Sequence, residues 1–179
     1  MRSKRTTVPA MRLYAGKVTP ISTEVVRALL ASNDIEAEAP REAEADVAAV
    51  LNGYLTTERE VNERAKDLLE KSGRPGTELG RMRQLVADEK GIKLGDEALD
   101  YLLDQVVAVF HHSRHVDEIY AEDVELRRKM APIFKRHMAI DAGMDTEARA
   151  QLKHLKEGTP AWDIEYGRAL DRAKRKKGA

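Results

Sequence analysis

The chain has 179 residues, with 31 acidic and 31 basic side chains, 42% hydrophobic residues and no cysteine. This composition excludes disulfide-bonded domains and cysteine nucleophiles, and it favours a helix-rich globular protein over a disordered chain. No apolar run approaches the roughly 18 residues that a membrane span needs, and the basic N-terminus lacks the apolar segment of a secretory signal. We therefore expect a cytoplasmic protein with no membrane partner.

Charged residues are segregated along the chain. Residues 33–70 contain eleven acidic residues and four basic ones, whereas residues 124–179 contain fourteen basic residues and eight acidic ones. Such a chain has two kinds of surface. These surfaces can face each other within one fold or dimer, or one of them can contact a charged partner, and the sequence leaves both alternatives open.

The N-terminal part is predicted to contain a flexible arm and a first helix. Residues 1–10 are basic and lack an apolar period, so we expect them to form a flexible basic arm. Thr19 and Pro20 have the pattern of an N-cap and a first helical position. Together with the apolar stripe that follows, they predict a helix over 20–32.

A long second helix is predicted over about 41–72. Its apolar stripe follows steps of four and three, with Glu58 as one polar interruption: Val47, Leu51, Tyr54, Val61, Ala65 and Leu68. Packing inside the fold explains such a stripe, and dimerisation is the sharper alternative. Gly53 marks a position where the helix can kink, and the capping-box spacing of Thr57 and Glu60 is typical of a new helix start.

Gly73, Pro75 and Gly76 predict a boundary between two regions. We expect an acidic helical region over 11–73 and a helical domain with a basic end over 77–179. Thr77 is expected to start a helix that ends at Gly91.

A central apolar helix is predicted near 97–115. Its apolar residues cover more than half of the helix circumference, so neighbours are needed on several sides: Leu99, Leu102, Leu103, Val106, Val107, Val109 and Phe110. A helix that starts at Glu122 and Asp123 follows, then a short one capped by Asp145, and a last one that starts at Thr159-Pro160. The sequence thus predicts an all-α fold of roughly seven helices in one or more bundles.

Basic residues on the last two long helices are candidates for binding nucleic acid. On the last helix these are Arg168, Arg172, Lys174, Arg175, Lys176 and Lys177, and on the helix before it Arg128, Lys129, Lys135 and Arg136. Contacts from such residues to phosphates are sequence-tolerant and weaken steeply with salt. We expect weak, low-salt binding only. Trp162 is expected to anchor the last helix in the core.

Residues with catalytic potential are few. His111 and His115 are spaced as i and i+4, and with Asp117, Glu118 or Glu122 they are a candidate metal site. Polar capping or surface exposure explains them better, because short motifs overpredict metal sites. HExxH, ExxH and GxSxG motifs and Gly-rich nucleotide loops are absent. We therefore expect a non-enzyme with no catalytic, cofactor or metal site.

Three segments together resemble one family: VLNGYLTTEREVNERAKDLL (50–69), HSRHVDEIYAEDVELRRKM (112–130) and LKEGTPAWDIEY (155–166). They resemble an uncharacterised bacterial family, the five-hundred-and-seventh of the domains of unknown function, from about Met11 to the end of the chain. The resemblance implies a helical bacterial protein and transfers no activity or site residue. VDEIYAEDVELRRK also resembles the end of a histone fold, but the 27 positions from Asp96 to Asp123 are too few for a full histone central helix.

The sequence favours a non-catalytic adaptor or scaffold that binds an unknown protein partner. Self-association of the chain is one form of this hypothesis. The alternative is a nucleic-acid-binding module that uses the basic helices and termini. A metal-dependent enzyme ranks third.

Overall fold

A computed structural model describes residues 10–140, 142–157 and 159–178 of the chain. The helices in this part are α1 (Val18–Ala31), α2 (Pro40–Ser72), α3 (Leu79–Lys90), α4 (Ala98–His112), α5 (Asp123–Met138), α6 (Ala142–Ala150) and α7 (Pro160–Gly178). The strands have two residues each: β1 (Ala10–Met11), β2 (Ile35–Glu36), β3 (Glu118–Ile119) and β4 (Ala139–Ile140). The prediction of an all-α protein is confirmed. Residues 1–9 of the predicted arm, and Gly158, lie outside the described residues.

The long predicted helix is continuous. α2 runs for 33 residues through Gly53 and ends at Gly73, whose φ of 63° is the left-handed conformation of a helix C-cap. Thr57 starts no new helix, because its hydroxyl donates to the Gly53 carbonyl 3.0 Å away. The stripe residues from Val47 to Ala65 are buried against α1, α3 and α4. Packing inside the chain therefore accounts for these stripe residues, whereas Leu68 at the end of the predicted stripe is 36% exposed.

The central helix is found, but it is shorter than expected. α4 ends at His112, because Ser113 adopts an extended backbone and its hydroxyl contacts Asp46. The i, i+4 pair of His111 and His115 therefore does not share a helix face, which corrects the sequence interpretation. α6 begins at Ala142, so Asp145 lies inside its first turn and is not the predicted cap.

Two short antiparallel ribbons join distant parts of the chain. β2 pairs with β3, and β1 pairs with β4. Beside the β2–β3 ribbon, the carbonyl oxygen of Asp34 accepts the backbone N–H of Tyr120 at 2.8 Å, and the Asp34 carboxylate lies 2.5 Å from Lys129 Nζ. This ribbon therefore fixes the loop before α5 against the loop after α1.

Buried residues form two hydrophobic clusters. The larger one, the bundle core, extends from Leu13 to Met138 and takes residues from α1 to α5, including residues on both sides of the predicted boundary at 73–77. The smaller one belongs to the C-terminal module, which we define as α6, α7, residues 151–157 between them and the Tyr14 side chain. Its buried residues are Tyr14, Ala148, Leu152, Trp162, Tyr166, Ala169 and Leu170. None of the described helices combines the length and apolarity needed to cross a membrane.

Candidate functional site

The predicted basic residues of α5 are mostly engaged within the fold. Arg128 pairs with Glu125 at 2.6 Å, Lys129 pairs with Asp34, and Arg136 contacts Glu24 of α1. Lys135 is exposed. Three of these four residues thus have a carboxylate partner, which reduces the positive charge that they offer to a ligand.

The predicted basic residues of α7 lie on a more open surface. Arg168 pairs with Glu165 at 2.8 Å, Arg172 donates to Gln151 at 3.0 Å, and Lys176 lies 3.6 Å from Glu147. Arg175 is exposed, and the side chain of Lys177 lies outside the described residues. The contacts of Arg168 and Lys176 are surface ion pairs, which contribute little free energy, and Gln151 is neutral, so it leaves the charge of Arg172 uncompensated.

Two of the predicted residues come together in a basic corner formed by Lys17, Arg136, His137 and Lys174. Burial lowers the pKa of His137, and the three neighbouring cations lower it further. Burial also lowers the pKa of Lys174, with Lys17 as the next cause. Glu24 and Asp171 lie at the same place and form ion pairs with members of the corner. Positive charges from α5, from α7 and from the segment before α1 therefore lie close together here, and the two carboxylates compensate part of them.

An acidic edge surrounds the β2–β3 ribbon. We give this name to Glu36, Asp117, Glu118, Tyr120, Glu122, Asp123 and Val124. Tyr120 is 64% exposed and Val124 is 72% exposed, and the Tyr120 hydroxyl donates to Glu36 at 2.6 Å. A groove of about 550 Å³ runs beside them and is lined by Phe110, His111 and residues 116–123. The edge thus combines exposed apolar side chains with carboxylates.

The two histidines of the candidate metal site have different partners. His111 Nε2 lies 2.7 Å from Asp123, whereas His115 Nδ1 lies 2.8 Å from Asp46. In the parts of the chain that the structure describes, no group of three or more His, Asp or Glu side chains has the arrangement to hold a metal ion.

A buried polar cluster, which the sequence analysis missed, lies between the bundle core and the C-terminal module. Arg12 lies 3.6 Å from Glu58 and 3.7 Å from Asp163, and these two carboxylates are 8% and 7% exposed. Burial raises the pKa of both acids, and Arg12 opposes that shift in each. The sequence contained one sign of this cluster, the acidic Glu58 in the apolar stripe of α2, because a buried carboxylate needs a cation as partner.

Aromatic rings lie on the other side of Arg12. Trp162 and Tyr166 stack with ring centroids 4.6 Å apart, and the guanidinium groups of Arg12 and Arg149 lie between 5.3 and 5.7 Å from both rings. These are cation–π distances. Trp162 is buried, so its predicted role as a core anchor is confirmed.

A basic cleft opens next to this cluster. Its cationic lining consists of Arg12, Lys66, Arg83 and Arg149, and the cavity has a volume of about 360 Å³. Asn62, Leu79 and Glu157 complete the lining. α2, α3 and α6 each contribute to the cleft, so bundle and module enclose it together.

These features define an all-α protein with separate acidic and basic surfaces. A family model described as "Protein of unknown function (DUF507)" matches residues 11–179. The chain belongs to this family, as the resemblance of the three segments implied. A search of curated proteins found no match.

Proposed function

We propose that this protein is a non-catalytic cytoplasmic adaptor or scaffold that binds a basic segment of a partner protein at the acidic edge. The observation that carries the proposal is the exposure of Tyr120 and Val124, 64% and 72%, within a ring of carboxylates. Aromatic residues of this kind are enriched among the residues that dominate binding energy in interfaces.

The charge of the edge favours a basic partner. Among the described residues, no Lys or Arg lies within 4.0 Å of a carboxylate oxygen of these acids: Glu36, Glu118, Glu122 and Asp123. Asp123 has one neighbour that becomes a cation when protonated, His111. A rim of uncompensated charge steers an oppositely charged partner and selects against others. The exposed Tyr120 ring and Val124 then provide the apolar centre of the contact, and the neighbouring groove provides room for long Lys or Arg side chains.

The test is capture of partners from a nuclease-treated cell lysate with three proteins: the parent, the Tyr120→Ala, Val124→Ser double variant, and Leu85→Ser. Leu85 lies on α3 and is 50% exposed, so its replacement is a matched loss of apolar surface elsewhere. Affinity for each recovered partner is then measured by titration. We expect a partner with a Lys- or Arg-rich segment that the double variant binds roughly tenfold more weakly or worse, and that Leu85→Ser binds like the parent. Equal loss in both variants would refute the docking surface.

A second candidate function is binding of nucleic acid at the basic corner. The convergence of Arg136 and Lys174 with Lys17 and His137 supports it. Glu24 and Asp171 compensate part of this charge, so we expect weak binding of generic RNA or DNA that is lost near physiological salt.

Charge reversal separates this candidate from the adaptor. Arg136→Glu with Lys174→Glu in the basic corner should remove most low-salt binding, whereas Arg41→Glu with Arg81→Glu, on exposed positions of α2 and α3 outside the corner, is the matched control. Filter binding across a salt series gives the readout. Tight binding that survives physiological salt and the double reversal would overturn the adaptor proposal in favour of a dedicated nucleic-acid site.

A further inference from the structure

The basic cleft has the charge, donors and size of a site for a small anion. We infer that it binds the phosphate group of a small phosphorylated molecule. The cleft lies far from the acidic edge: Glu36 of the edge precedes the first residue of α2, Pro40, by four positions, and Lys66 lies roughly 39 Å further along this helix at 1.5 Å per residue. Binding of a partner protein at the acidic edge and binding of a phosphate group in the cleft can therefore be tested independently.

The four cations of the cleft differ in their ion pairs. Arg12 is paired with Glu58 and Asp163, and Arg149 is paired with Asp145 and Glu157. In contrast, neither Lys66 nor Arg83 lies within 4.0 Å of a described carboxylate oxygen. Two cations of the cleft thus form no direct ion pair; Lys66 Nζ donates to the backbone carbonyl of Glu157 at 3.4 Å, and Arg83 lies near enough to Glu58 to oppose the rise of the pKa of that acid. A phosphate monoester carries a charge of about −1.5 to −2 at neutral pH and matches them, whereas a single carboxylate leaves one cation unmatched.

Hydrogen-bonding groups in the cleft also lack partners. Arg83 Nε and Asn62 Oδ1 are buried and have no hydrogen-bond partner among the described residues. Buried polar groups without a partner are rare and costly. A phosphate oxygen can accept from Arg83 Nε, and rotation of the Asn62 amide by half a turn would present its NH2 group to a second oxygen. After that rotation the same ligand accepts one hydrogen bond from each of the two side chains.

The size of the cavity indicates a phosphate group attached to a polar body. About 360 Å³ is at the lower end of small-ligand sites, roughly 300–1,000 Å³, and exceeds what a free phosphate fills. A second cavity of about 470 Å³ shares Asn62, Lys66 and Glu157 with the cleft, and its other lining includes Glu63, Asp67 and Glu70. Because these acids repel a phosphate, the phosphate group takes the cleft, and a hydroxyl-rich body extends toward the acids.

Such a ligand bridges the two parts of the molecule. Lys66 and Arg83 belong to the bundle, Arg149 belongs to α6 of the module, and Arg12 lies between them. Bound phosphate is therefore expected to hold the module against the bundle and raise the melting temperature.

The experiment is calorimetric titration of the full chain with ribose 5-phosphate, inorganic phosphate and acetate at constant ionic strength in sodium chloride. Variants Lys66→Gln and Arg83→Gln each remove one cation that has no direct ion pair. Arg81→Gln is the matched control, because Arg81 is exposed and lies on α3 like Arg83. Arg83→Lys keeps the charge but loses the planar fork of donors, and it serves if Arg83→Gln fails to fold.

We expect saturable binding of ribose 5-phosphate, weaker binding of inorganic phosphate and none of acetate. Lys66→Gln and Arg83→Gln should each weaken the affinity roughly tenfold or more, about 1.4 kcal/mol, and Arg81→Gln should leave it unchanged. Absence of saturable binding by either phosphate probe would overturn the inference. So would equal binding of acetate, or equal effects of Arg81→Gln and Arg83→Gln. Saturable binding of inorganic phosphate alone would refute the phosphorylated molecule and leave a free-anion site.

Discussion

The bundle core and the C-terminal module are held together by different forces. Val25, Leu51, Leu102 and Phe134 are typical of the bundle core, where aliphatic and aromatic side chains from five helices pack without solvent. The module has a few buried residues around the Trp162–Tyr166 stack, and it meets the bundle through charged groups centred on Arg12. Apolar groups carry no charge that salt can screen or a proton can neutralise, whereas ion pairs are screened and titrate. Sensitivity to conditions is therefore concentrated at the junction.

A charge in the bundle core should have the largest effect. Val106→Asp places an unpaired carboxylate among Leu102, Leu103 and Phe110, all of which are buried. We expect a loss of about 4 kcal/mol or more, enough to unfold a marginal domain. Val124→Asp is the control, because its side chain is exposed and a negative charge in the first turn of α5 suits the helix dipole. The melting temperatures of both variants and the parent are measured by circular dichroism. A Val106→Asp protein that melts within a degree or two of the parent would show that α4 is not at the centre of the core.

A smaller effect is expected at the contact between Tyr14 and α7. A Cβ atom on Gly167 would lie 2.8 Å from the Tyr14 ring, which is buried and cannot move aside. Gly167→Ala should therefore cost about 1–3 kcal/mol by overpacking and shift the fluorescence of Trp162, the single tryptophan.

Gly53→Ala is the matched control for that change. Nothing lies within 4 Å of its added Cβ, and the position is interior to α2, so alanine should stabilise the protein by roughly 0.5–1 kcal/mol. Chemical denaturation, followed by circular dichroism and by the fluorescence of Trp162, measures the free energy of unfolding of both variants. Stabilisation by Gly167→Ala would mean that Tyr14 does not pack on α7 as described.

The smallest effect concerns Glu58 and has a defined dependence on pH. Because burial raises its pKa in the folded chain, the folded state binds more protons than the unfolded state between the ordinary and the raised value. The stability contributed by this group therefore falls as pH rises through that window. Glu58→Gln should therefore gain stability relative to the parent as pH rises above the ordinary Glu pKa of about 4.3.

Urea midpoints at several pH values test this expectation. Glu63→Gln, on an exposed position of α2, controls for the loss of one negative charge. If the stability of Glu58→Gln relative to the parent decreased with rising pH, the result would contradict a raised pKa of Glu58.

Local patterns predicted the bundle helices closely. α2 was expected over 41–72 and is found at Pro40–Ser72, and α4 was expected near 97–115 and is found at Ala98–His112, because apolar periodicity records burial. The early end of α4 depends on a contact of Ser113 with Asp46, 67 residues away, which no local pattern contains.

The candidate sites depend still more on long-range contacts. The basic character of Arg136 was evident, but its pairing with Glu24 follows from the packing of α5 on α1, 112 residues apart in sequence. Glu58 lies on α2, Asp163 lies on α7 and Arg12 lies in the segment after β1, so periodicity gave only one indication, the acid in the α2 stripe. Exposure of Tyr120 likewise follows from the β2–β3 ribbon that turns its ring outward.

The most direct test of the difference between the two regions is hydrogen exchange of the parent and Arg12→Gln proteins, resolved by helix. Loss of Arg12 removes the cation between Glu58 and Asp163 and one of the two guanidinium groups near the Trp162–Tyr166 stack. We predict faster amide exchange in α6 and α7, with α4 and α5 as protected as in the parent. Uniform acceleration across all helices, or unchanged exchange in α7, would contradict a module attached to the bundle through Arg12.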